Sequence, residues 1–296
     1  MNTLNPAYGC VALIGKYRSA EVAESLRLLA QWLHASGRAV LIEQGSAEVL
    51  TDDRFESADF DELGGRAKLA VVVGGDGSLI SAARKLAPYD VPLVGINQGR
   101  LGFLTDVARS SMLAAMDALI RGEFRAERRV LLEASVLREG AGVFSAYALN
   151  DVVVSKGDLG RMIEFEVRVD GEFVYSQRSD GLIVSTPTGS TAYSLSANGP
   201  IVHPSLGGML IVPLCPHALS SRPIVLGDEA VLKVRLFVRH DARAHFDGQE
   251  HFNLQGDDEL CIRRSPHQVT LLHPPGYSYF AMLREKLRWS EAPKEV

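Results

Sequence analysis

The stretch Leu69-Ala70-Val71-Val72-Val73-Gly74-Gly75-Asp76-Gly77-Ser78-Leu79-Ile80 joins a short apolar run to a glycine-rich turn and a helix-compatible segment. An unbroken apolar run bounded by glycine reads as a strand buried on both faces, as in a parallel sheet. Gly74, Gly75 and Gly77 remove Cβ atoms and permit positive φ, so backbone can approach a phosphate closely. Ser78 can cap the following helix, whose N-terminus favours anions. Asp76 is out of keeping with a phosphate loop, because a carboxylate repels phosphate. It could hold a metal, take a proton from an attacking hydroxyl, or simply be the Asp of a tight strand-to-helix turn. The glycine spacing fits neither the Walker A loop nor Gly-x-Gly-x-x-Gly.

Strands and helices alternate around this stretch. Gly9 to Ile14, Ala39 to Ile42 and Val91 to Ile96 read as further strands. Ser19 to Ser36 reads as a helix, with Val22, Leu26, Leu29 and Leu33 on one face and Gly37 as its stop. Ser78 to Leu86 is another helix. The alternation predicts a parallel, Rossmann- or flavodoxin-like α/β domain with right-handed crossovers. Ligands bind beyond the carboxyl ends of such strands, where Asp76 and Asn97 fall. The polar, acidic segment Thr51 to Gly65 reads as a mobile connection.

After about residue 125 the period changes. Ile163, Phe165, Val167 and Val169 alternate with Glu164, Glu166 and Arg168, and Asp170-Gly171 reads as a hairpin turn to a return strand over Glu172 to Ser176. Arg128 to Leu137, Val143 to Ser155, Val231 to Val238 and Leu260 to Ile262 also read as strands, with Asp247-Gly248 as another turn. Short strands without intervening helices predict an all-β, sandwich-like domain. Tyr277 to Trp289 reads as a C-terminal helix returning to the first domain, with Phe280, Leu283 and Leu287 on its buried face. The expected division is residues 1–105 plus about 273–296 for the α/β domain, and about 106–272 for the β-rich domain.

The 296 residues carry a formal net charge of -5, with 46% hydrophobic and 23% charged residues. That composition is globular and argues against bulk electrostatic binding of nucleic acid. No apolar stretch is long enough for a membrane span. The N-terminus lacks a basic n-region and reads as a first strand, not a signal peptide. Cys10, Cys215 and Cys261 are too far apart for a disulfide framework or metal cluster, and read as buried thiols in a reducing cytoplasm.

The run Asp180-Gly181-Leu182-Ile183-Val184-Ser185-Thr186-Pro187-Thr188-Gly189-Ser190-Thr191-Ala192-Tyr193-Ser194-Leu195-Ser196 packs seven Ser/Thr hydroxyls, a Tyr and an Asp around glycines and a proline. Such a stretch offers many short donors and acceptors to a polyhydroxylated ligand. On composition alone it could equally be a surface loop. Gly-Gly-Asp-Gly-Ser resembles a signature shared by NAD kinases, 6-phosphofructokinases and diacylglycerol-type lipid kinases. The Asp180 to Ser196 run is similar to the long signature of NAD kinases, which phosphofructokinases lack. Leu149-Asn150-Asp151, Asn97-Gln98-Gly99-Arg100-Leu101-Gly102-Phe103-Leu104, Arg161-Met162-Ile163, Gln177-Arg178-Ser179-Asp180 and Tyr277-Ser278-Tyr279-Phe280 resemble further segments of that family, in its proteobacterial type.

The resemblance implies an ATP-dependent NAD kinase that phosphorylates the 2′-hydroxyl of the adenosine ribose. It implies Asp76 as the general base or the group that orients this hydroxyl, with Gly74, Gly75 and Gly77 near phosphate. It further implies Asn150 on the adenine edge, Asp151 on a ribose hydroxyl, and Thr188, Thr191, Ala192, Tyr193, Ser194, Leu195 and Ser196 lining the adenosine pocket. Asp180 would accept from the nicotinamide amide, Arg161 and Arg178 would lie near phosphates, and Gln249 is a weaker member of the set. Mg²⁺ or Mn²⁺ would arrive with ATP, no separate protein metal site being visible. A homo-oligomer is implied, dimer or tetramer, whose sites borrow residues from a neighbouring subunit through a segment like Pro213 to Pro223.

Overall fold

The computed structural model describes residues 8–16, 19–50, 52–99, 102–157, 162–237 and 242–289. The chain divides into two compact units, one of residues 1–128 and 269–296, the other of residues 129–268.

The first unit contains β1 (Cys10–Gly15), α1 (Ala20–Ala35), β2 (Ala39–Glu43), α2 (Gln44–Leu50), β3 (Glu56–Ala58), α3 (Phe60–Arg66), β4 (Leu69–Val73), α4 (Asp76–Leu86), β5 (Leu93–Asn97), β6 (Val107–Ala108) and α5 (Met112–Ile120). Its strands pair in parallel in the order β3-β2-β1-β4-β5. All five residues of β4 are 0% exposed, as a strand covered on both faces must be. Val22, Leu26, Leu29 and Leu33 of α1 pack into the same core as β1 and β4. The helix stops at Gly37, which has φ +74.

Three expectations change here. The segment read as a mobile connection instead holds β3 and α3, and Leu63 of α3 is buried. Asp59 and Glu62 cap α3 reciprocally, which satisfies its free N–H groups and stabilises a short helix despite the polar sequence. Met112, Met116 and Leu119 of α5 belong to the first core, so the first unit runs past residue 105. Gly75, not Ser78, is the N-cap of α4, and Ser78 lies inside its first turn.

The chain leaves through β7 (Arg125–Arg138) and continues with β8 (Ala141–Ala148), β9 (Asp151–Lys156), β10 (Ile163–Val169), β11 (Glu172–Ser179), β12 (Gly181–Ser185), α6 (Tyr193–Ser196), β13 (Met209–Leu214), β14 (Ile224–Leu226), β15 (Leu232–Leu236), β16 (Ala242–Phe246) and β17 (Glu250–Leu254). The long β18 (Glu259–His273) ends in the first unit, where Leu271 pairs in parallel with Leu93 of β5. The second unit is a two-sheet sandwich, β11-β10-β15-β18-β7-β8 against β14-β13-β12-β9-β16-β17. Inward residues of both sheets, among them Val136, Phe165, Val154, Val184 and Phe246, form one core. Asp170 and Gly171 both have positive φ, the two-residue turn their sequence predicts. The strand expected over Val143 to Ser155 is two strands, β8 and β9, broken at Leu149-Asn150.

The last helix, α7 (Tyr279–Leu287), belongs to the first unit. Its buried residues are Tyr279 and Leu283, while Phe280 is 59% exposed, so the buried face is rotated from the one expected. Of the cysteines, Cys215 is exposed, and Cys10 and Cys261 are half-buried.

Candidate functional site

In the first unit the Gly74-Gly75-Asp76-Gly77 turn sits at the carboxyl end of β4, and β5 ends at Asn97, followed by Gln98 and Gly99 and, further on, by Gly102 to Thr105. Gly74 and Gly75 do not use positive φ. Gly74 serves close packing instead, since a Cβ there would lie 2.7 Å from Ser78 Oγ. No side chain caps the N-terminus of α4, and the dipole of the helix favours an anion at this end. Asp76, the first residue of α4, points toward the neighbouring segment. Its Oδ2 accepts from Phe103 N (2.7 Å), and its Oδ1 accepts from Leu104 N (3.1 Å), Thr105 N (3.0 Å) and Thr105 Oγ1 (2.9 Å). Gly102 makes this possible, because a Cβ there would fall 1.8 Å from Asp76 Oδ1.

The second unit holds a cavity of about 400 Å³, lined by Asn150, Asp151, Val153 and Ser155, by Ala192 and Tyr193, and by His245, Asp247 and Gly248. Three local features build it. The break between β8 and β9 is clamped by Asp247, whose carboxylate accepts from Leu149 N (2.8 Å), Asn150 N (2.7 Å) and Asp151 N (3.0 Å). The positive φ of Asp247 and Gly248 turns the β16–β17 hairpin so that this carboxylate reaches the break. The Ser/Thr run then packs against the same break: Thr186 Oγ1 donates to Leu149 O (2.6 Å) and Ser185 Oγ to Asn150 O (3.2 Å). Gly189 is required for that approach, since its Cβ would lie 2.1 Å from Asn150 O.

Asp151 is 5% exposed, and its carboxyl is pushed up to about 7 by burial first and by the Asp247 charge second. It thus exchanges a proton near neutrality and can donate as well as accept. The His245 imidazole is held below its ordinary range, chiefly by burial, then by His251 and Arg243, and so faces the cavity uncharged at neutral pH.

The residues named from the sequence are not all equivalent. Asn150, Asp151, Ala192 and Tyr193 meet at the cavity, and Tyr193 is exposed. The hydroxyls expected to face a ligand are largely spent inside the protein. Thr188 is buried and its Oγ1 accepts from Arg129 Nη1 at 3.4 Å. Thr191 Oγ1 donates to Thr188 O, and Ser190 Oγ donates to Pro187 O while accepting from Val202 N. Ser194 is enclosed beside Gly199. Leu195 and Ser196 complete α6 without lining the cavity. Asp180 pairs with Lys156 Nζ at 2.8 Å. Arg178 is exposed on β11, in the sheet opposite the cavity strands, 4.0 Å from Glu164. Gln249 follows the turn and donates its N–H to Phe246 O. Arg161 lies outside the described residues. The sequence reading missed Lys156, His245 and the clamping role of Asp247. The pairing of Phe246 with Val152, which sets Asp247 beside Asp151, carries no local sequence signal.

Two family models match the chain, the ATP-NAD kinase N-terminal domain over residues 11–124 and the ATP-NAD kinase C-terminal domain over residues 149–273. The chain is similar to the NAD kinase of Azoarcus sp. (strain BH72), 58% identical across 96% of this chain and 97% of that one. It is 56% identical to the NAD kinase of Aromatoleum aromaticum, across 96% and 95%. Among solved structures, the NAD kinase of Archaeoglobus fulgidus in complex with ATP aligns with a TM-score of 0.72 and 26% identity over 94% of this chain and 98% of that chain. Yeast NADH kinase complexed with NADH shares the fold, with a TM-score of 0.89 at 22% identity over 98% and 90%. A chain whose phosphate-type turn and hydroxyl-rich run both fall inside these matches belongs to the ATP-NAD kinase family.

Proposed function

We propose that this protein transfers the γ-phosphoryl group of ATP to the 2′-hydroxyl of the adenosine ribose of NAD, giving NADP and ADP. The observation that carries the reading is the 58% identity to an NAD kinase across 96% of the chain. The glycine turn at the start of α4 supports phosphate binding through backbone N–H groups. The cavity at Asn150 and Asp151 supports adenosine binding, with Asn150 on the adenine edge, Asp151 on a ribose hydroxyl and Tyr193 against the dinucleotide. Thr188, Thr191 and Ser194 support the site more than they touch the ligand, since their hydroxyls are engaged or enclosed. Asp180 receives the nicotinamide amide, with Lys156 as its partner in the free protein. Arg178 and Arg161 serve phosphates, and Gln249 borders the site.

Asp76 orients the attacking hydroxyl and takes its proton late, as suits a loose phosphoryl-transfer transition state. Mg²⁺ or Mn²⁺ enters with ATP and neutralises charge on the transferring group. Among the described residues no group of three or more His, Cys, Asp or Glu is placed to hold an ion independently of the nucleotide. The protein acts in the cytoplasm as a homo-oligomer, a dimer or tetramer. No helix among the described residues is long and apolar enough to cross a membrane, and Leu219, fully exposed within the Pro213 to Pro223 segment, supports a protein contact there.

The test is a coupled assay with purified protein, Mg-ATP and NAD, reading NADP with a dehydrogenase specific for it. NADP should form, and neither fructose 6-phosphate nor diacylglycerol should be phosphorylated. Asp76→Asn should lower kcat at least about a hundredfold while NAD still binds. Turnover of either alternative substrate, or near-normal turnover by Asp76→Asn, would refute the corresponding assignment.

A further inference from the structure

The two oxygens of Asp76 are unequally engaged. Oδ1 accepts from Leu104 N, Thr105 N and Thr105 Oγ1, whereas Oδ2 accepts from Phe103 N. A carboxylate oxygen offers about two lone-pair positions, so Oδ1 is saturated and Oδ2 retains capacity. The Thr105 hydroxyl is itself fixed. Its oxygen accepts from Asn97 Nδ2 at 2.9 Å. The Asn97 amide cannot be reversed, because its Oδ1 accepts from Gly99 N at 2.6 Å. With Asn97 donating to it, Thr105 must aim its own hydrogen at Asp76. Asn97 and Thr105 are both buried, and a Cβ on Gly95 would lie 2.8 Å from Thr105 Cγ2, so the threonine is lodged against β5. The result is a one-way relay, Gly99 N–H to Asn97, Asn97 to Thr105, Thr105 to Asp76.

We propose that Asn97 and Thr105 are positioning residues for phosphoryl transfer: their directed hydrogen bond joins the two backbone N–H groups on Asp76 Oδ1, fixes the orientation of the carboxylate, and leaves Oδ2 as the oxygen that meets the substrate hydroxyl. The inference rests on the kinase reading above. It accounts for an aspartate at a phosphate-type turn whose carboxylate is already hydrogen-bonded. The relay holds the side chain in one rotamer and assigns the anchoring work to one oxygen and the chemistry to the other.

Steady-state kinetics of Thr105→Val, Thr105→Ser and Asn97→Asp, alone and in an Asp76→Asn background, test it. Thr105→Val keeps the shape and removes the relay. Its kcat should fall at least about tenfold, with KM for NAD and for ATP within about twofold of wild type. Thr105→Ser restores the hydroxyl and should recover kcat to within about threefold. Asn97→Asp keeps the acceptor for Gly99 N but draws the Thr105 hydrogen away from Asp76, so it should lose kcat to the same order. It also answers the question should Thr105→Val fail to fold. In the Asp76→Asn background, adding Thr105→Val should change the residual rate by less than about threefold, since residues acting through one group are not additive. A normal kcat for Thr105→Val or Asn97→Asp, equal impairment of Thr105→Ser and Thr105→Val, or multiplying losses in the Asp76→Asn background would overturn the inference alone. A wild-type protein that makes no NADP would overturn the kinase reading and the inference with it.

Discussion

Replacing Asp151 with Asn removes a titrating group from the cavity without changing its shape, and the effect on stability has a definite sign. The carboxyl is pushed from 3.8 to about 7 by burial and by Asp247. Above pH 7 the folded chain carries a buried anion beside a second carboxylate, which is unfavourable. As pH falls through 7 the folded state takes up a proton that the unfolded state, with its carboxyl near 3.8, does not. The folded state then binds more protons, so stability rises on acidification, and the gain is complete near pH 4. At 1.36 kcal/mol per pKa unit, the group contributes about 2–3 kcal/mol of pH-dependent stability between pH 5 and pH 8. Asp151→Asn is neutral throughout and lacks this contribution. Urea unfolding of both proteins at pH 5, 6, 7 and 8, followed by far-UV circular dichroism, measures it as the difference between their stabilities. The wild type should lose about 2–3 kcal/mol relative to Asp151→Asn on going from pH 5 to pH 8. Parallel pH profiles would show that Asp151 is ionised in the folded protein throughout, and would refute the assignment of burial as the dominant influence on it.

Other outcomes follow from single contacts. Gly189→Ala forces a methyl against the Asn150 carbonyl, 2.1 Å from its oxygen, and should cost about 1–3 kcal/mol in melting experiments and weaken NAD binding measured by calorimetry. Asn150→Ala should weaken NAD binding by about 1–3 kcal/mol, read by the same calorimetry, because ligand polar groups lose their partner. Asp258→Ala removes the carboxylate that Arg138 Nε and Nη2 both contact at 2.9 Å and that caps Gln255 N at 2.8 Å. It should destabilise the protein by about 2–3 kcal/mol in urea, below the figure for a fully buried pair because Arg138 keeps contact with solvent. Truncation after Gly276 removes α7 with its buried Tyr279 and Leu283 and should lower the melting temperature, and an unchanged melt would contradict the docking of that helix.

Sequence alone settled what depends on local pattern. The apolar run of β4, the 3.6-residue period of α1, the alternation along β10 and the Asp-Gly turn after it each impose one backbone conformation whatever surrounds them. The Gly-Gly-Asp-Gly turn and the Asp180 to Ser196 run were legible for a related reason: they are contiguous, so their spacing is itself the signal. Short elements were not legible. The pair β3 and α3 lies in a polar segment that read as a connection, and the Asp59–Glu62 capping box that holds the helix was found only in the structure. The broken strand at Leu149-Asn150 and the rotated buried face of α7 were likewise decided by what packs against them. So were the roles within the sites. Asp247 reaches Asn150 and Asp151 from almost a hundred residues along the chain, and Thr105 reaches Asp76 only because β4 and β5 pair in parallel and end together. The hydroxyls of the Ser/Thr run looked like ligand donors because composition does not reveal which backbone groups they must satisfy. Burial did, since a buried carbonyl or amide left without a partner costs more than a loop hydroxyl gains by facing solvent.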